Sequence, residues 1–227
     1  MLAIAVFVAG YFLSRRAHST LHIKSEEIYD LIFWVILGGI IGCRLFFILL
    51  NLSFFIENPI EIVMVQHGGL AWQGGMVFGL AIFCFYTKQK KWPILKVADI
   101  CAPYVALGQA IGRWGCLLNG CCYGKEVSWG IWDPLRGVHA YPTQIFLSVG
   151  AFISFLILIK ISRTQKFDGQ ILVLYFMLES VFRFTIEFFR ADHEEIFLTL
   201  SIFQIVCIGV LIGSLYAYTY FQSRKRL

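Results

Sequence analysis

Long apolar segments alternate with short polar connections along the 227 residues of the chain. We place the apolar segments at roughly 1–14, 28–50, 70–87, 98–118, 141–160, 170–190 and 198–221. A helix rises about 1.5 Å per residue and a bilayer core is about 30 Å thick, so only the first segment is too short to cross. The pattern predicts an all-α, polytopic membrane helix bundle of about seven transmembrane segments, in a single integral membrane domain over 1–227.

Composition supports lipid as the solvent. The chain is 59% hydrophobic and 15% charged, with a mean hydropathy of +0.74, whereas soluble domains carry about 25% charged residues. The net charge is +5, but the basic residues fall in short clusters between apolar segments and do not gather on one face. We therefore exclude nucleic acid as a partner and expect membrane lipids instead.

The basic clusters predict an orientation. They follow segments one, three, five and seven, and include Arg15, Arg16, Lys24, Lys88, Lys90, Lys91, Lys96, Lys160, Arg163, Lys166, Arg224, Lys225 and Arg226. The connections on the other side are mainly acidic. By the positive-inside rule, the N-terminus lies outside and the C-terminus lies in the cytoplasm.

Four arginines lie within or at the ends of apolar segments: Arg44, Arg113, Arg183 and Arg190. A central arginine costs about 2.5–3.5 kcal/mol on insertion scales, so each is expected to face the bundle interior with a partner. In segment six, Glu179, Arg183, Glu187 and Arg190 share one helical stripe. This stripe is either a self-neutralising ladder that holds the bundle together or part of a functional site.

Glycines flank two further groups of candidate residues. Arg113 stands between Gly112 and Gly115, where the backbone can open around a ligand, and a guanidinium suits a phosphate. Asn119 would add a neutral donor. His67 precedes the glycine pairs of 68–75, which suggest irregular backbone lining a cavity. His67 is either a general base or a solvated interfacial side chain.

Three cysteines follow Arg113 closely: Cys116, Cys121 and Cys122. They could form a disulfide or bind a metal, but their spacing matches no standard zinc pattern. We therefore expect neither a metal nor a cofactor. Arginines beside opened backbone, with carboxylates and a histidine nearby, indicate a site for an anionic lipid headgroup.

These motifs, in this order, resemble the phosphatidylglycerol–prolipoprotein diacylglyceryl transferase family of bacterial inner membranes. The resemblance runs from about Ala5 to the C-terminus and rests on Gly42-Cys43-Arg44, the glycine pairs of 68–75, Ala102-Pro103, Gly112-Arg113-Trp114-Gly115, Asn119-Gly120, Pro142-Thr143-Gln144 and the Arg183-Phe184-x-x-Glu187-Phe188-Phe189-Arg190 motif. It implies transfer of a diacylglyceryl group from phosphatidylglycerol to the lipobox cysteine of a prolipoprotein signal peptide. Glycerol phosphate is released, and the active site lies toward the outer side of the membrane.

The resemblance also implies residue roles. Arg113 would bind phosphatidylglycerol and Arg183 would steady the departing phosphate, while Glu187 and Arg190 orient that pair. Arg44, Gln73 and Asn119 would be further contacts to the lipid. The base that takes the thiol proton is either His67 or Glu179.

Some positions depart from the family pattern. Gln73 stands where the family usually has histidine, Cys116 replaces its asparagine, Cys121 replaces its glutamate and Glu179 replaces its tyrosine. Three hypotheses therefore stay open: a transferase of this kind, a paralogue that modifies another acceptor, and a non-enzymatic anionic-lipid-binding protein or transporter. A transporter would be expected to show internal repeats, and none is evident.

Overall fold

The computed structural model describes residues 1–64, 68–134, 136–191, 195–197 and 200–224. Over these ranges the chain forms helices α1 Leu2–Leu21, α2 Ser25–Leu50, α3 Leu52–Glu57, α4 Trp72–Gln89, α5 Ile94–Leu118, α6 Thr143–Ser162, α7 Gln170–Glu187 and α8 Ile202–Arg224. A short 3-10 helix covers Pro59–Ile62. The strands are β1 Glu126–Asp133, β2 Val138–Ala140, β3 Glu195–Phe197 and β4 Leu200–Ser201.

The described chain divides into two compact units. The larger unit comprises Met1–Leu13 and Ala98–Leu227, and the smaller one comprises Ser14–Val97. This division does not test the single domain that the sequence predicts, which stays a prediction.

The smaller unit is built on α2 and α4, which contact each other through glycines. A Cβ atom added to Gly42 would lie 2.6 Å from the Gly74 carbonyl oxygen. Real Cβ atoms do not come this close to a carbonyl oxygen. The backbones of α2 and α4 can therefore contact each other here only because glycine has no side chain. The glycines of segments two and three therefore serve helix packing.

The larger unit packs α5, α6 and α7 around a small core. Its fully or nearly buried members are Ala102, Ala106, Leu158, Ile171 and Tyr175. Asp99 of α5 fixes the start of α7, because its carboxylate accepts the backbone N–H groups of Gly169 at 2.6 Å and Leu172 at 2.9 Å. This anchor fixes where the charged stripe of α7 lies against α5.

Helix α8 begins with a capping box. The Ser201 hydroxyl accepts the Gln204 backbone N–H at 3.3 Å, and the Gln204 side chain accepts the Ser201 N–H at 2.9 Å. This Ser-x-x-Gln exchange satisfies two backbone donors that a helix start leaves unpaired. It also fixes Ser201 where the end of α7 meets the start of α8.

The prediction of an all-α chain was wrong in one respect. Strands β1 and β2 form an antiparallel hairpin between α5 and α6, and β3 pairs with β4 before α8. The first hairpin follows the alternation of Val127, Trp129 and Ile131, a strand period that a search for apolar helices passes over. Gly137, with φ +68°, lies in the turn. The fold is mostly helical, with two small sheets.

Four described helices are long and apolar enough to cross a membrane: Ser25–Leu50, Ile94–Leu118, Thr143–Ser162 and Ile202–Ser223. They make the chain a membrane protein. The first apolar segment forms a 20-residue helix, Leu2–Leu21, which is about 30 Å long. This helix is not one of the four, and its second half contains Arg15 and Arg16. The expectation that the first apolar segment is too short to cross therefore stays a prediction. Seven spans remain a prediction.

Candidate functional site

The centre of the charged site in the larger unit is the carboxylate of Glu187. Its side chain is 0% exposed, and its Oε2 lies 3.2 Å from Nη2 of Arg183 and 3.6 Å from Nη1 of Arg190. The other oxygen, Oε1, accepts the Ser201 hydroxyl at 3.2 Å. A buried carboxylate needs such partners, because an uncompensated buried charge is strongly destabilising.

The stripe predicted for segment six is only partly helical. Arg183 and Glu187 are four residues apart in α7 and meet on one face, as helix geometry requires. Helix α7 ends at Glu187, and Arg190 lies in the turn beyond it, where its N–H donates to the Glu187 carbonyl at 3.2 Å. The turn returns the Arg190 guanidinium to the same carboxylate.

A second carboxylate, Glu179, lies between arginines of α5 and α7. It interacts electrostatically with both Arg113 and Arg183. The Gln109 amide donates to Glu179 Oε1 at 3.4 Å, and the Tyr175 hydroxyl donates to the Gln109 carbonyl oxygen at 3.1 Å. Polar side chains therefore cross between α5 and α7 through Gln109, which lies one turn before Arg113.

The cluster contains three guanidiniums. Arg113 and Arg190 both lie within electrostatic reach of Arg183. The carboxylates Glu179 and Glu187 lie among them. The Arg183 guanidinium also lies 5.2 Å from the centre of the Phe203 ring. Guanidiniums gathered in this way can bind a phosphate in a forked geometry.

The connection after α5 joins this cluster through backbone pairing. Gly124 and Arg190 form an antiparallel bridge, with Lys125 N–H donating to the Phe189 carbonyl at 2.8 Å. A Cβ atom on Gly124 would lie 3.0 Å from the Phe189 carbonyl oxygen and closer still to that of Tyr141. Only glycine therefore permits this approach, which no spacing in the sequence indicated.

Three thiols lie together in the same connection. The Sγ atoms of Cys116, Cys121 and Cys122 are all within 4.8 Å of one another, and all three side chains are half-buried. Burial first, and then the neighbouring thiols, raise the pKa of Cys121 to about 12. Cys122 lies within electrostatic reach of Arg183. The thiol cluster and the arginine cluster are thus neighbours.

The thiol-bearing loop is held by buried side chains at the start of α6. The Thr143 hydroxyl donates to the Cys122 carbonyl at 2.6 Å, and the Gln144 amide donates to the Cys121 carbonyl at 2.8 Å. Thr143 is 0% exposed and Gln144 is 5% exposed. The Pro-Thr-Gln motif therefore anchors this loop.

Arg44, in the smaller unit, is directed at backbone carbonyls. The residue as a whole is 8% exposed. It donates to the carbonyl oxygens of Ile62, Gly68, Gly69, Glu61 and Met64. A guanidinium has five N–H donors, so these bonds account for all of them. This geometry supports a role in holding residues 61–64 and 68–69 in place, while the predicted phosphate contact stays a prediction.

Two further predicted residues have exposed side chains. Gln73 is exposed on the first turn of α4 in the smaller unit, and Asn119 is exposed in the turn after α5. His67 lies outside the described residues. The structure thus brings together Arg113, Glu179, Arg183, Glu187 and Arg190.

Sequence reasoning missed Gln109, Tyr175 and Ser201. Ser201 had a local signal, because Ser201-x-x-Gln204 before an apolar segment is a capping box. Gln109 is a polar residue inside apolar segment four, so it carries the same kind of signal as Arg113. Tyr175 had only its position one turn before Glu179. A contact between segments four and six was needed to reveal it.

Comparison with known proteins gives one consistent result. The family described as Prolipoprotein diacylglyceryl transferase matches residues 1–220. Proteins named phosphatidylglycerol–prolipoprotein diacylglyceryl transferase are similar to this chain over most of both lengths. The one from Finegoldia magna is 32% identical over 91% of this chain and 83% of the relative. That from Geobacter sulfurreducens is 34% identical, with 86% and 78% covered. That from Clostridium tetani is 30% identical, with 100% and 93% covered.

Proposed function

The chain belongs to the prolipoprotein diacylglyceryl transferase family, and from this premise we propose the reaction and the roles of its residues. The protein is an enzyme that transfers a diacylglyceryl group from phosphatidylglycerol to a cysteine thiol of a prolipoprotein. The thiol sulfur forms a bond to the glyceryl carbon while the carbon–oxygen bond to phosphate breaks. The electron pair of that bond leaves with glycerol phosphate, and the thiol proton passes to a base or to water.

The observation that carries this proposal is the cluster of three guanidiniums, Arg113, Arg183 and Arg190, beside Glu179 and Glu187. The phosphodiester of phosphatidylglycerol has one negative charge, and the departing phosphate monoester gains a second. A preformed guanidinium site therefore stabilises the transition state more than the bound lipid, which is the condition for catalysis. Arg113 and Arg183 are the arginines of this site, and both flank Glu179.

The supporting residues hold these arginines in place. Glu187 holds Arg183 through the 3.2 Å ion pair and is itself held by Ser201. Arg190 completes the buried charge group and ties it to the thiol-bearing loop. Gln73, Asn119 and Arg44 are proposed as further lipid contacts. Either His67 or Glu179 takes the thiol proton, and Glu179 is the one that the geometry puts beside both arginines.

The site is proposed to open toward the outer side of a bacterial inner membrane, in a seven-span arrangement with the N-terminus outside. The distribution of lysine and arginine between the connections supports this orientation. Prolipoprotein precursors carry the acceptor cysteine in a lipobox at the end of an apolar signal peptide. Such a segment would reach the site from within the membrane plane, as its apolar length requires.

The test uses the purified full chain with labelled phosphatidylglycerol and a lipobox peptide. Wild-type protein is expected to form a thioether-linked lipid and to release glycerol phosphate in equal amounts. Arg113→Ala should reduce the rate at least about 100-fold, as loss of a transition-state donor does. Arg163→Ala removes an exposed arginine beyond α6 and should leave the rate unchanged.

Two results would refute the proposal. One is full activity in Arg113→Ala at normal protein level. The other is an acceptor peptide that stays unmodified when wild-type protein is folded and supplied with phosphatidylglycerol. Transfer to an acceptor other than a cysteine thiol would favour a paralogue with changed chemistry.

A further inference from the structure

The proposed function leaves three thiols unexplained. Cys116, Cys121 and Cys122 lie within 4.8 Å of one another by their sulfur atoms, and all three are free. A packing role does not require three sulfur atoms to converge in a half-buried loop beside a charged site. Simple packing would be served by any small apolar side chains.

The backbone is shaped to bring the sulfurs together. Cys122 has φ +61°, a left-handed conformation that costs an ordinary side chain roughly 1 kcal/mol or more. Two buried side chains, Thr143 and Gln144, hold the carbonyls of Cys122 and Cys121. Cys116 is joined to the same loop, because the Cys121 N–H donates to its carbonyl at 3.1 Å. Braced ligands on an ordered loop are typical of metal sites.

We propose that Cys116, Cys121 and Cys122 bind one zinc ion, whose fourth position receives the thiolate of the acceptor cysteine. The inference rests on the proposed function for the identity of that fourth ligand, but metal binding itself stands on the thiol cluster alone. Three protein ligands and one open position are the arrangement of catalytic zinc. The three cysteine side chains are half-buried, so they are not fully enclosed by protein.

The distances suit zinc. Four sulfurs around a tetrahedral zinc at about 2.3 Å lie roughly 3.8 Å from one another. The observed sulfurs, within 4.8 Å of each other, therefore need to move by an ångström or less. A disulfide would need a sulfur–sulfur distance of about 2.05 Å, and it would involve only two of the three thiols. Soft thiolates select zinc over magnesium or calcium.

The chemistry of zinc-bound thiolates fits the transfer reaction proposed at the neighbouring arginine cluster. Zinc binding lowers the pKa of the acceptor thiol, so its proton passes readily to the base, His67 or Glu179, and the attacking sulfur is a thiolate at neutral pH. Zinc with four thiolates carries two net negative charges, which keep the sulfur electron-rich and able to attack carbon. The sulfur–carbon bond then forms, the carbon–oxygen bond to phosphate breaks, and the thioether dissociates from zinc. No oxidant or reductant is consumed.

The positive charge of a neighbouring arginine also suits this site. Arg183 lies within electrostatic reach of Cys122, so the zinc would be held beside the site proposed for the departing phosphate. Arg183 would offset the negative charge of the zinc–thiolate group before transfer and that of the phosphate during it. The nucleophile and the leaving group would thus be gathered at one end of α5 and α7.

The first experiment measures metal binding without any lipid. Purified full-length protein is reduced, treated with a chelator, and reloaded with zinc or with cobalt as a coloured substitute. We expect one metal per chain after desalting, and cobalt absorption typical of tetrahedral thiolate coordination. The triple variant Cys116→Ser, Cys121→Ser, Cys122→Ser should lose both. The control Cys43→Ala, Cys84→Ala, Cys101→Ala removes three half-buried cysteines elsewhere and should retain both.

The second experiment adds the acceptor. A lipobox peptide should change the cobalt spectrum toward four thiolates, and a peptide with serine in place of cysteine should not. Chelated protein should transfer lipid about 100-fold more slowly, the contribution expected from activation of the nucleophile, and zinc should restore the rate. Cys122→Ser should lose metal while protein level and melting temperature in detergent are retained.

The outcomes separate the two proposals. Wild-type protein that retains no metal, or a triple serine variant that retains as much as wild type, overturns the zinc site. A cluster disulfide in protein that takes up no metal after reduction also overturns it. Bound zinc with an unchanged transfer rate after chelation overturns the role in the reaction. Cluster-dependent metal binding in a protein that never modifies the peptide would refute the proposed function instead.

Discussion

The Oε2 atom of Glu187 lies 3.2 Å from the Arg183 guanidinium, and no part of the Glu187 side chain is exposed. The carboxylate is held from the other side by the cap residue of α8, Ser201. Arg183 is therefore oriented by a group that solvent does not reach, while 15% of its own side chain remains exposed. A guanidinium held in this way is already arranged when the phosphate begins to leave, so little reorganisation is required.

Glu187→Gln is expected to destabilise the protein. The substitution leaves Arg183 and Arg190 buried without their common counter-charge, which costs about 3–5 kcal/mol. Thermal unfolding in detergent should show a clearly lower midpoint. Glu27→Gln removes the partner of Lys90 in a solvent-exposed 2.8 Å pair, which solvent screening makes a minor contribution to stability. Equal midpoints in the two variants would contradict the buried pair.

Arg183→Lys should affect the rate and not lipid binding. Lysine keeps the charge but replaces a planar fork by a single ammonium, so it cannot contact the departing phosphate through two parallel bonds. We expect kcat to fall about 100-fold with little change in KM for phosphatidylglycerol. Arg163→Lys is the matched control. A large increase in KM with normal kcat would instead make Arg183 a ground-state lipid contact.

Glu179→Gln should separate binding from catalysis. Glutamine can still accept from Gln109, but the cluster then has three guanidiniums and one carboxylate. The greater positive charge should tighten binding of the anionic lipid, so KM should decrease. Loss of the group between Arg113 and Arg183 should lower kcat, by about 100-fold or more if Glu179 takes the thiol proton.

His67→Gln gives the complementary result for the base. A kcat that falls as far in His67→Gln as in Glu179→Gln would indicate that both act in proton transfer. A normal pH–rate profile in Glu179→Gln, with an altered profile in His67→Gln, would assign the base to His67. Steady-state kinetics at several pH values measures both outcomes.

Gly124→Ala should separate the thiol-bearing loop from the end of α7. The added methyl group would lie 3.0 Å from the Phe189 carbonyl oxygen and nearer to that of Tyr141. Backbone atoms on both sides prevent relief, and such overpacking costs about 1–3 kcal/mol. Activity and thermal stability should both fall. Gly209→Ala is the control, because its added Cβ meets nothing within 4 Å; a similar loss there would show a general sensitivity to alanine.

Arg44→Lys tests whether this arginine is structural. Lysine has three donors and cannot reach the five carbonyls that Arg44 contacts, so we expect a loss of roughly 2 kcal/mol in stability. KM for phosphatidylglycerol should change little among the molecules that remain folded. A several-fold increase in KM at unchanged melting temperature would favour the phosphate contact implied by the family resemblance.

The sequence by itself determined the solvent, the helical character and the candidate arginines. Apolar segments of membrane length are a property of composition and period, so they are readable before any fold is known. The cost of an arginine inside such a segment made Arg113 and Arg183 conspicuous in the same way. The family motifs then indicated the reaction, which the comparisons support.

Only the tertiary structure decided which of these residues meet. The pairing of Arg183 with Glu187 followed from helix period, but the approach of Gln109 to Glu179 depends on how α5 packs against α7. The convergence of Cys116, Cys121 and Cys122 depends on a left-handed residue and on two buried donors from α6. Contacts of this kind join positions far apart in the chain, and no local period encodes them.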